Sequence, residues 1–512
     1  MGVARGATFL LADNAVTMMV TVASFTFIAR LITREDMGEL AVLVLIATGA
    51  QLLGRLSVSS AATKFVATFE AMGEHHKKRQ VGYECILINA VCTLALALAI
   101  YLSANFLASF LLGSQSKAIL LKLLVLDIGS LSISESLIGT LLGLKKFQEL
   151  SVTSVATFVV RQSLVIAFLE LGWGLSGIVI GYGIGDFLNS LILAVYTRKF
   201  LGPPAIGFGL RRLLKFSAPL LLGDTANFAW TWFDRALLIP LVSLAQLGTY
   251  NVAVTAFVIL NLMPSSISNA LFPYYSHFYP ESGEASSTVE LENSVRVASR
   301  YVSFFTIPLS IGLAVTALPA VTLLAGNGYA GAAVPLAILS VSLGMACLQK
   351  ALSQIFVVLR KTVTSAIVTV ASVSLPILIG IMIVPEFGII GASVARGISL
   401  IISLLLSMLI LRKILKLQFD REAYGFAWIA SLLMAGTVLA IERFSYSKYL
   451  LPVYVAIGAI VFVLTLRLLH AINRGDMELV EGLLGSRMKP LVETIGKLMG
   501  VTSETTKEVT SR

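Results

Sequence analysis

The sequence predicts an all-α integral membrane protein with about fourteen transmembrane helices. Its 512 residues are 57% hydrophobic and only 13% charged, whereas soluble domains carry roughly 25% charged residues. The apolar residues are gathered into runs of about twenty or more, the length that crosses a bilayer. The basic residues stand in short clusters between those runs. A soluble core could not cover this much apolar surface.

Polar clusters and Gly/Pro breaks divide the chain into the predicted spans. Six lie at 7–32, 38–62, 83–112, 117–143, 150–171 and 174–198. Six more lie at 213–241, 247–272, 297–325, 330–359, 362–384 and 387–411, and two others at 423–441 and 449–470. The first span is longer than the apolar part of a signal peptide and has no small-residue cleavage site after it, so we expect no cleavage there.

The loop charges predict the orientation. Connections after even-numbered spans hold most of the Lys and Arg residues, as in Lys77, Lys78 and Arg79. Because cytoplasmic loops are enriched in these residues, both termini are expected in the cytoplasm of a cell-membrane protein. The same pattern accounts for the net charge of +10, so we do not infer nucleic-acid binding.

The chain nearly repeats itself after 210 residues. ARLITREDMGELAVLV (29–44) lies over IPLVSLAQLGTYNVAV (239–254), with Gly38 opposite Gly248. Six spans per repeat is an even number, so both halves start on the same side and form parallel repeats, with a substrate path between them. We therefore predict six-helix bundles at 1–200 and 201–415, two added helices at 416–470, and a cytoplasmic tail, amphipathic or disordered, at 471–512.

Several ionisable residues fall inside the predicted spans. Each costs about 2.5–3.5 kcal/mol at a helix centre, so we expect these residues to face a watery cavity or one another. The cations are Arg55, Arg161, Arg235, Lys350 and Arg396, and the acids are Asp13, Asp127, Glu135, Asp186, Asp224 and Asp234.

Two roles are open for these groups. Arginines around a cavity could hold a phosphate or pyrophosphate group, because the planar guanidinium matches phosphate oxygens. Alternatively, the cations and acids pair with one another and lock the helices together, and Lys350 could reach the cytoplasm. A buried carboxylate can also carry a coupling H⁺ or Na⁺. Asp13, Asp186 and Asp224 are the first candidates for this, with Asp127, Glu135 and Asp234 as further ones.

The turn after the first span resembles that of a known family. A helix, then ARLITREDMGELAV, then a helix ending in SSAATKF is similar to the start of polysaccharide-export proteins. These belong to the multidrug/oligosaccharidyl-lipid/polysaccharide (MOP) exporter superfamily, which includes O-antigen-unit flippases. Thr33-Arg34 replaces a usual Gly-Pro pair, and Met37 an aromatic residue. LLKFSAPLLLGDTANFAWTWFDRALL (213–238) likewise resembles the family's seventh helix. We expect Glu35, Asp36 and Glu39 in a solvated outer turn, with Gly38 allowing the next helix to start abruptly.

The resemblance implies a MOP/MATE-like fold and a flippase that moves a lipid-linked oligosaccharide, a polyprenyl- or dolichyl-phosphate or pyrophosphate glycan, across the cytoplasmic membrane by alternating access. Such a protein would work beside glycan-assembly enzymes, with membrane lipid around it. The alternative is a drug/cation antiporter of the multidrug and toxic compound extrusion (MATE) branch, which also needs buried acids.

A membrane glycosyltransferase or polymerase is a third hypothesis. Such enzymes usually place acids and histidines in a long outer loop, but the four histidines here fall in predicted cytoplasmic segments. There is no Walker motif, and the three cysteines match no metal spacing. We therefore expect a monomeric transporter with no catalytic residues, no metal and no cofactor beyond a coupling ion.

Overall fold

The computed structural model describes residues 2–277, 285–359 and 361–472, which form sixteen α-helices. The first seven are α1 (Gly2–Leu31), α2 (Arg34–Arg55), α3 (Val58–Ala71), α4 (His75–Leu111), α5 (Ala118–Gly143), α6 (Phe147–Glu170) and α7 (Gly174–Leu201). The others are α8 (Leu210–Leu238), α9 (Leu244–His277), α10 (Ala285–Val315), α11 (Ala317–Ala325), α12 (Ala333–Met345), α13 (Gln349–Val358), α14 (Thr362–Leu411), α15 (Arg421–Phe444) and α16 (Leu451–Leu468). Short 3₁₀ helices lie at Gln115–Lys117, Asn327–Ala332 and Lys448–Leu450.

The helices have the surfaces of a membrane protein. Within the described ranges, ten helical stretches are long and apolar enough to span a bilayer. On α4 an exposed apolar stripe runs at four-residue spacing through Leu94, Leu98, Leu102, Phe106 and Phe110. A continuous apolar stripe of this length is covered by lipid rather than water. The predicted all-α integral membrane fold is confirmed.

Every predicted span lies over one or two of these helices, but the breaks differ. The span predicted at 38–62 is interrupted between α2 and α3, where Leu56 and Ser57 have left-handed φ values of 46° and 55°. The spans at 297–325 and 330–359 are also each divided, into α10 and α11 and into α12 and α13. The prediction of unbroken helices there was wrong, because an apolar run continues through a break without any change in composition.

The described residues form two compact units. The first comprises 1–255, 324–332 and 362–395, and the second comprises 256–323, 333–361 and the residues from 396 on. These two units are defined by which residues pack together, and their boundaries differ from those of the two predicted repeats. The bundles at 1–200 and 201–415 therefore stay a prediction. The predicted pair of helices at 416–470 corresponds to α15 and α16, and the tail from 473 on lies outside the described residues.

Two buried glutamates hold the segments that follow the two repeats. In the first unit, Glu84 on α4 accepts hydrogen bonds from the backbone N–H groups of Gly207, Phe208 and Gly209, at 2.5, 2.7 and 3.0 Å. In the second, Glu292 on α10 accepts one from the N–H of Lys416 at 2.6 Å. The two glutamates lie 208 residues apart. The near-repeat in the sequence thus has a structural counterpart, in which a carboxylate satisfies backbone donors that no helix satisfies.

An ion pair joins three elements of the second unit. Arg300 on α10 donates from Nη1 to Oδ2 of Asp420 at 2.9 Å and from Nη2 to the carbonyl of Ala471. Asp420 also caps α15 by accepting from the N–H of Ala423. Burial opposes its ionisation, but the hydrogen bonds from Ala423 and Arg300 outweigh burial and lower the pKa of Asp420.

Candidate functional site

The break between α2 and α3 places a cation against two acids of the first unit. Arg55, the last residue of α2, lies 3.7 Å from Glu135 of α5 and 3.4 Å from Asp224 of α8. Ser57, within the break, donates from Oγ to Asp224 at 2.7 Å. The side chains of Arg55, Glu135 and Asp224 are 29%, 39% and 39% exposed. This cluster is therefore open to an ion or a ligand.

A second, more buried cluster joins α5, α6 and α7. Arg161 Nη1 lies 3.3 Å from Asp186 Oδ1, and the guanidinium lies 4.2 Å from the ring centroid of Tyr182. Asp127 is buried beside Asp186, within electrostatic reach of Arg161. Asp127 and Glu135 share a face of α5, as the eight-residue spacing predicts, yet they join different clusters.

The predicted Asp234-Arg235 pair lies near the end of α8. Asp234 is buried and accepts a hydrogen bond from the hydroxyl of Tyr250 at 2.8 Å. The guanidinium of Arg235 lies 3.7 Å from the ring centroid of Trp232 and donates to the carbonyl of Thr231. Stacking on an aromatic ring stabilises the charge and fixes the direction of the guanidinium.

Arg235 and Trp232 face a cavity of about 300 Å³ within the first unit. Tyr182, from the Arg161 cluster, also lines the cavity, together with Gln162. Met37 of α2 also lines the cavity. The remaining lining residues come from α1, α2 and α9 and are Thr21, Ser24, Phe25, Ile28, Leu40, Ala41, Val44, Asn251 and Thr255.

The first turns of α2 and α9 are in backbone contact beside Met37, one of the residues that line this cavity. A Cβ atom on Gly38 would overlap the carbonyl oxygen of Leu244, and one on Gly248 would overlap that of Arg34. The two glycines are 210 residues apart, as are the two carbonyls. The contact is therefore symmetric between the repeats. The predicted role of Gly38, an abrupt helix start, was incomplete, since the residue is needed for this close approach.

The turn that contains Glu35, Asp36 and Glu39 is less exposed to solvent than predicted. Thr33 and Asp36 cap α2 reciprocally, as an exposed turn allows. Glu39, however, is only 4% exposed and lies 2.5 Å from Lys117. This ion pair gives the buried carboxylate an opposite charge in place of the water that it loses. Expecting Glu39 in water was wrong, because it lies on the face of α2 that packs inward.

The remaining candidates lie apart from these clusters. Asp13 on α1 accepts a hydrogen bond from Thr17 at 3.2 Å. Lys350 on α13 and Arg396 on α14 belong to the second unit and lie within electrostatic reach of each other. Within the described ranges, no three His, Cys, Asp or Glu side chains are placed to hold a metal ion.

The fold and the clusters together define a class of protein: an all-α membrane protein with clusters of charged side chains between its helices. The chain belongs to the polysaccharide biosynthesis protein family, whose profile matches residues 27–334. The resemblance to polysaccharide-export proteins is thereby confirmed.

Two curated relatives are similar over part of their length. One, named probable low-salt glycan biosynthesis flippase Agl15, of Haloferax volcanii, is 22% identical over 262 residues, covering 51% of this chain and 54% of the relative. The other, named succinoglycan biosynthesis transport protein ExoT, of Rhizobium meliloti, is 22% identical over 322 residues, covering 62% and 61%. The chain thus spans between half and two thirds of these relatives.

Solved structures share the fold. The lipid II flippase MurJ in its inward closed conformation superposes with a TM-score of 0.71 at 16% identity, covering 91% of this chain and 99% of MurJ. A MATE transporter of Vibrio cholerae gives a TM-score of 0.57 at 15% identity, covering 81% and 98%. At these identities the likeness concerns the fold alone.

Proposed function

We propose that this protein is a flippase that moves a lipid-linked oligosaccharide across the cytoplasmic membrane by alternating access. The family and the names of the curated relatives support glycan transport. The structural observation that carries the proposal is the half-open Arg55 cluster. A lipid-linked glycan has one fixed anionic group, its phosphate or pyrophosphate, and an accessible arginine is the side chain best suited to hold it.

The geometry supports an exchange of partners at Arg55. Its distances to Glu135 and Asp224 exceed those of a tight charge-assisted hydrogen bond. Its buried Nε–H has no hydrogen-bond partner among the described residues. A phosphate that enters the cluster can therefore bind Arg55 as the carboxylate of Glu135 or Asp224 dissociates from it. A carboxylate that loses its cation takes up a proton or a sodium ion more readily, so exchange would couple the substrate to H⁺ or Na⁺ at Asp224 or Glu135.

The MATE-type antiporter remains the alternative, because MATE structures share the fold. The family and both curated relatives concern glycan biosynthesis, which favours the flippase. We further propose a cell-membrane location with cytoplasmic termini, a monomeric transporter without catalytic activity, and glycan-assembly enzymes as neighbours. The loop charges support the orientation.

The test is flipping of a fluorescent polyprenyl-pyrophosphate glycan in proteoliposomes, normalised to folded protein. Losing one charge-assisted hydrogen bond costs about 1.5–3 kcal/mol, so Arg55→Gln should slow flipping at subsaturating substrate about 10- to 150-fold. Arg55→Lys should recover only part of the rate, because ammonium lacks the planar fork. Arg211→Gln, an exposed position at the start of α8, is the matched control.

Two results would contradict the proposal. If the wild-type protein flips no lipid-linked glycan, the function is wrong. If Arg55→Gln flips at the wild-type rate, Arg55 does not hold the phosphate. Arg55→Gln combined with Asp224→Asn, which removes one of the two acidic charges left without their cation, separates a folding defect from lost binding.

A further inference from the structure

We propose that Glu135 takes up a proton when the phosphate of the substrate binds Arg55, and that the hydroxyl of Ser57 keeps Asp224 ionised in that state. This inference rests on the proposed function, in which either Glu135 or Asp224 binds the coupling ion. The structure distinguishes the two acids by the partners that each keeps when Arg55 leaves.

Asp224 keeps a hydrogen-bond donor without Arg55. Ser57 Oγ donates to Asp224 Oδ2 at 2.7 Å, within the range of a charge-assisted hydrogen bond from a hydroxyl to a carboxylate. Arg55 Nη2 lies farther from the same oxygen, at 3.4 Å. Ser57 is 1% exposed, so little water competes for its hydroxyl. A hydrogen bond to the charged form of an acid favours that form, and Asp224 therefore remains a carboxylate.

Glu135 has no comparable donor. Within the described residues its ion-pair partner is Arg55, 3.7 Å from Oε2, and no side-chain hydrogen bond supports it. When Arg55 binds the phosphate, Glu135 faces two negative groups, the phosphate and Asp224. Nearby like charges disfavour ionisation, so the acid without a donor is the one that binds a proton. The side chain of Glu135 is 39% exposed, which allows water to deliver the proton.

The other charged groups of the neighbouring helices have different partners. Lys64 on α3 lies over the ring of Phe216, 4.4 Å from its centroid. Arg161 on α6 pairs with Asp186 on α7, and α4 has no acidic or basic residue within 85–111. In the described part of the chain, the charges that act on this glutamate are thus one guanidinium of α2 and one carboxylate of α8.

The backbone fixes the Ser57 hydroxyl independently of the Arg55 side chain. Ser57 lies in the break between α2 and α3 with a left-handed φ of 55°, so its direction does not depend on what Arg55 binds. Alanine and serine both carry a Cβ atom, which is the source of the cost of this conformation. Ser57→Ala therefore removes the hydroxyl without changing the backbone strain.

The test counts the protons that binding takes up. A short isoprenyl pyrophosphate is titrated into purified full-length protein in buffers of different ionisation enthalpy, and calorimetry gives the number of protons bound per probe. We expect the wild type to take up as much as about one proton more than Glu135→Gln at the same pH. Protonation of the probe itself contributes equally to both. Because only the complex holds the extra proton, the affinity of the wild type should fall relative to Glu135→Gln as pH rises, by at most about tenfold per pH unit.

Three further variants locate the proton. Asp224→Asn should keep most of the uptake, and it also serves if Glu135→Gln folds poorly. Ser57→Ala combined with Glu135→Gln should restore uptake, because Asp224 then lacks its donor and becomes the acceptor. Glu170→Gln, at an exposed acid that ends α6, is the matched control and should bind the probe and protons as the wild type does.

The outcomes separate this inference from the proposed function. If the wild type does not bind the probe, the proposed function itself fails. If it binds the probe with the same proton number as Glu135→Gln, or if Asp224→Asn rather than Glu135→Gln abolishes the uptake, Glu135 is not the acceptor, although a phosphate site at Arg55 would stand. Binding that requires Na⁺ and takes up no proton would likewise overturn the inference.

Discussion

At the scale of single residues, the partners of a buried charge decide what its removal does. Arg161 was predicted either to bind phosphate or to pair with an acid, and the structure places it 3.3 Å from Asp186. Their side chains are 21% and 8% exposed, so water compensates neither charge fully. Removing one partner of such a pair leaves a buried charge unpaired, which typically costs about 3–5 kcal/mol.

We therefore predict that Arg161→Ala lowers the free energy of unfolding by about 3–5 kcal/mol. Adding Asp186→Asn should recover much of this loss, because the unpaired charge is then gone. Thermal unfolding of the single and double variants in nanodiscs measures both effects. If Arg161→Ala unfolds like the wild type but no longer binds pyrophosphate lipid, Arg161 serves the substrate rather than the fold.

Sequence reasoning located these charges but not their neighbours. A charge in an apolar run is conspicuous, so each ionisable candidate could be named. The partners of such a charge lie far from it in the chain: Ser57 and Asp224, for example, are 167 residues apart. The residue pattern within a single helix contains no information on pairs of this kind. The neutral cavity residues Gln162 and Tyr182 were missed because amides and phenols are tolerated inside membrane helices. The amide within an apolar run was the available signal.

At the scale of elements, the lengths of apolar runs predicted where helices lie, and the repeat predicted which turns correspond. The start of α2 at Arg34 and that of α9 at Leu244 differ by 210 residues, as the repeat requires. The contact between those two starts could not be predicted, because it depends on how the helices pack. Glycine at both positions was the available signal, since glycine permits close backbone approach.

This contact gives a prediction on closure. Gly38→Ala places a methyl group against the carbonyl of Leu244, and such overpacking costs about 1–3 kcal/mol. The closed arrangement should become less populated, about 5- to 150-fold relative to open ones. A Ser24→Cys substitution in the adjacent cavity, where Ser24 is buried, should then react faster with a membrane-impermeant thiol reagent.

The control for this experiment is Gly436→Ala, a helical glycine of α15 with open space around its position. It should leave the reaction of the Ser24→Cys thiol unchanged, and should be neutral or slightly stabilising because alanine favours helices. An unchanged reaction rate in Gly38→Ala would show that α2 and α9 do not close the cavity.

At the scale of the whole molecule, the loop charges predict the orientation that flipping requires, and α4 allows a direct test. This helix has 37 residues, and at 1.5 Å per residue it is long enough to cross a bilayer with some turns to spare. His76 lies at its start and Gln115 just beyond its end, and both are exposed. A difference in labelling between them therefore reports the side of the membrane rather than burial.

We predict that His76→Cys is labelled by an impermeant maleimide only after cells are permeabilised, whereas Gln115→Cys is labelled in intact cells. Both are made in a background where Cys85, Cys92 and Cys347 are replaced by alanine. The reverse pattern would invert the topology, and labelling of both sites in intact cells would mean that α4 does not cross the membrane.

The orientation matters for the proposed function because lipid-linked glycans are assembled on one face and used on the other. If His76 is inside, we expect the Gly38–Gly248 contact, which lies at the opposite end of the predicted spans, to close the proposed path on the outer face. The Arg55 cluster would then be the part of the proposed site that a substrate meets first from the cytoplasm.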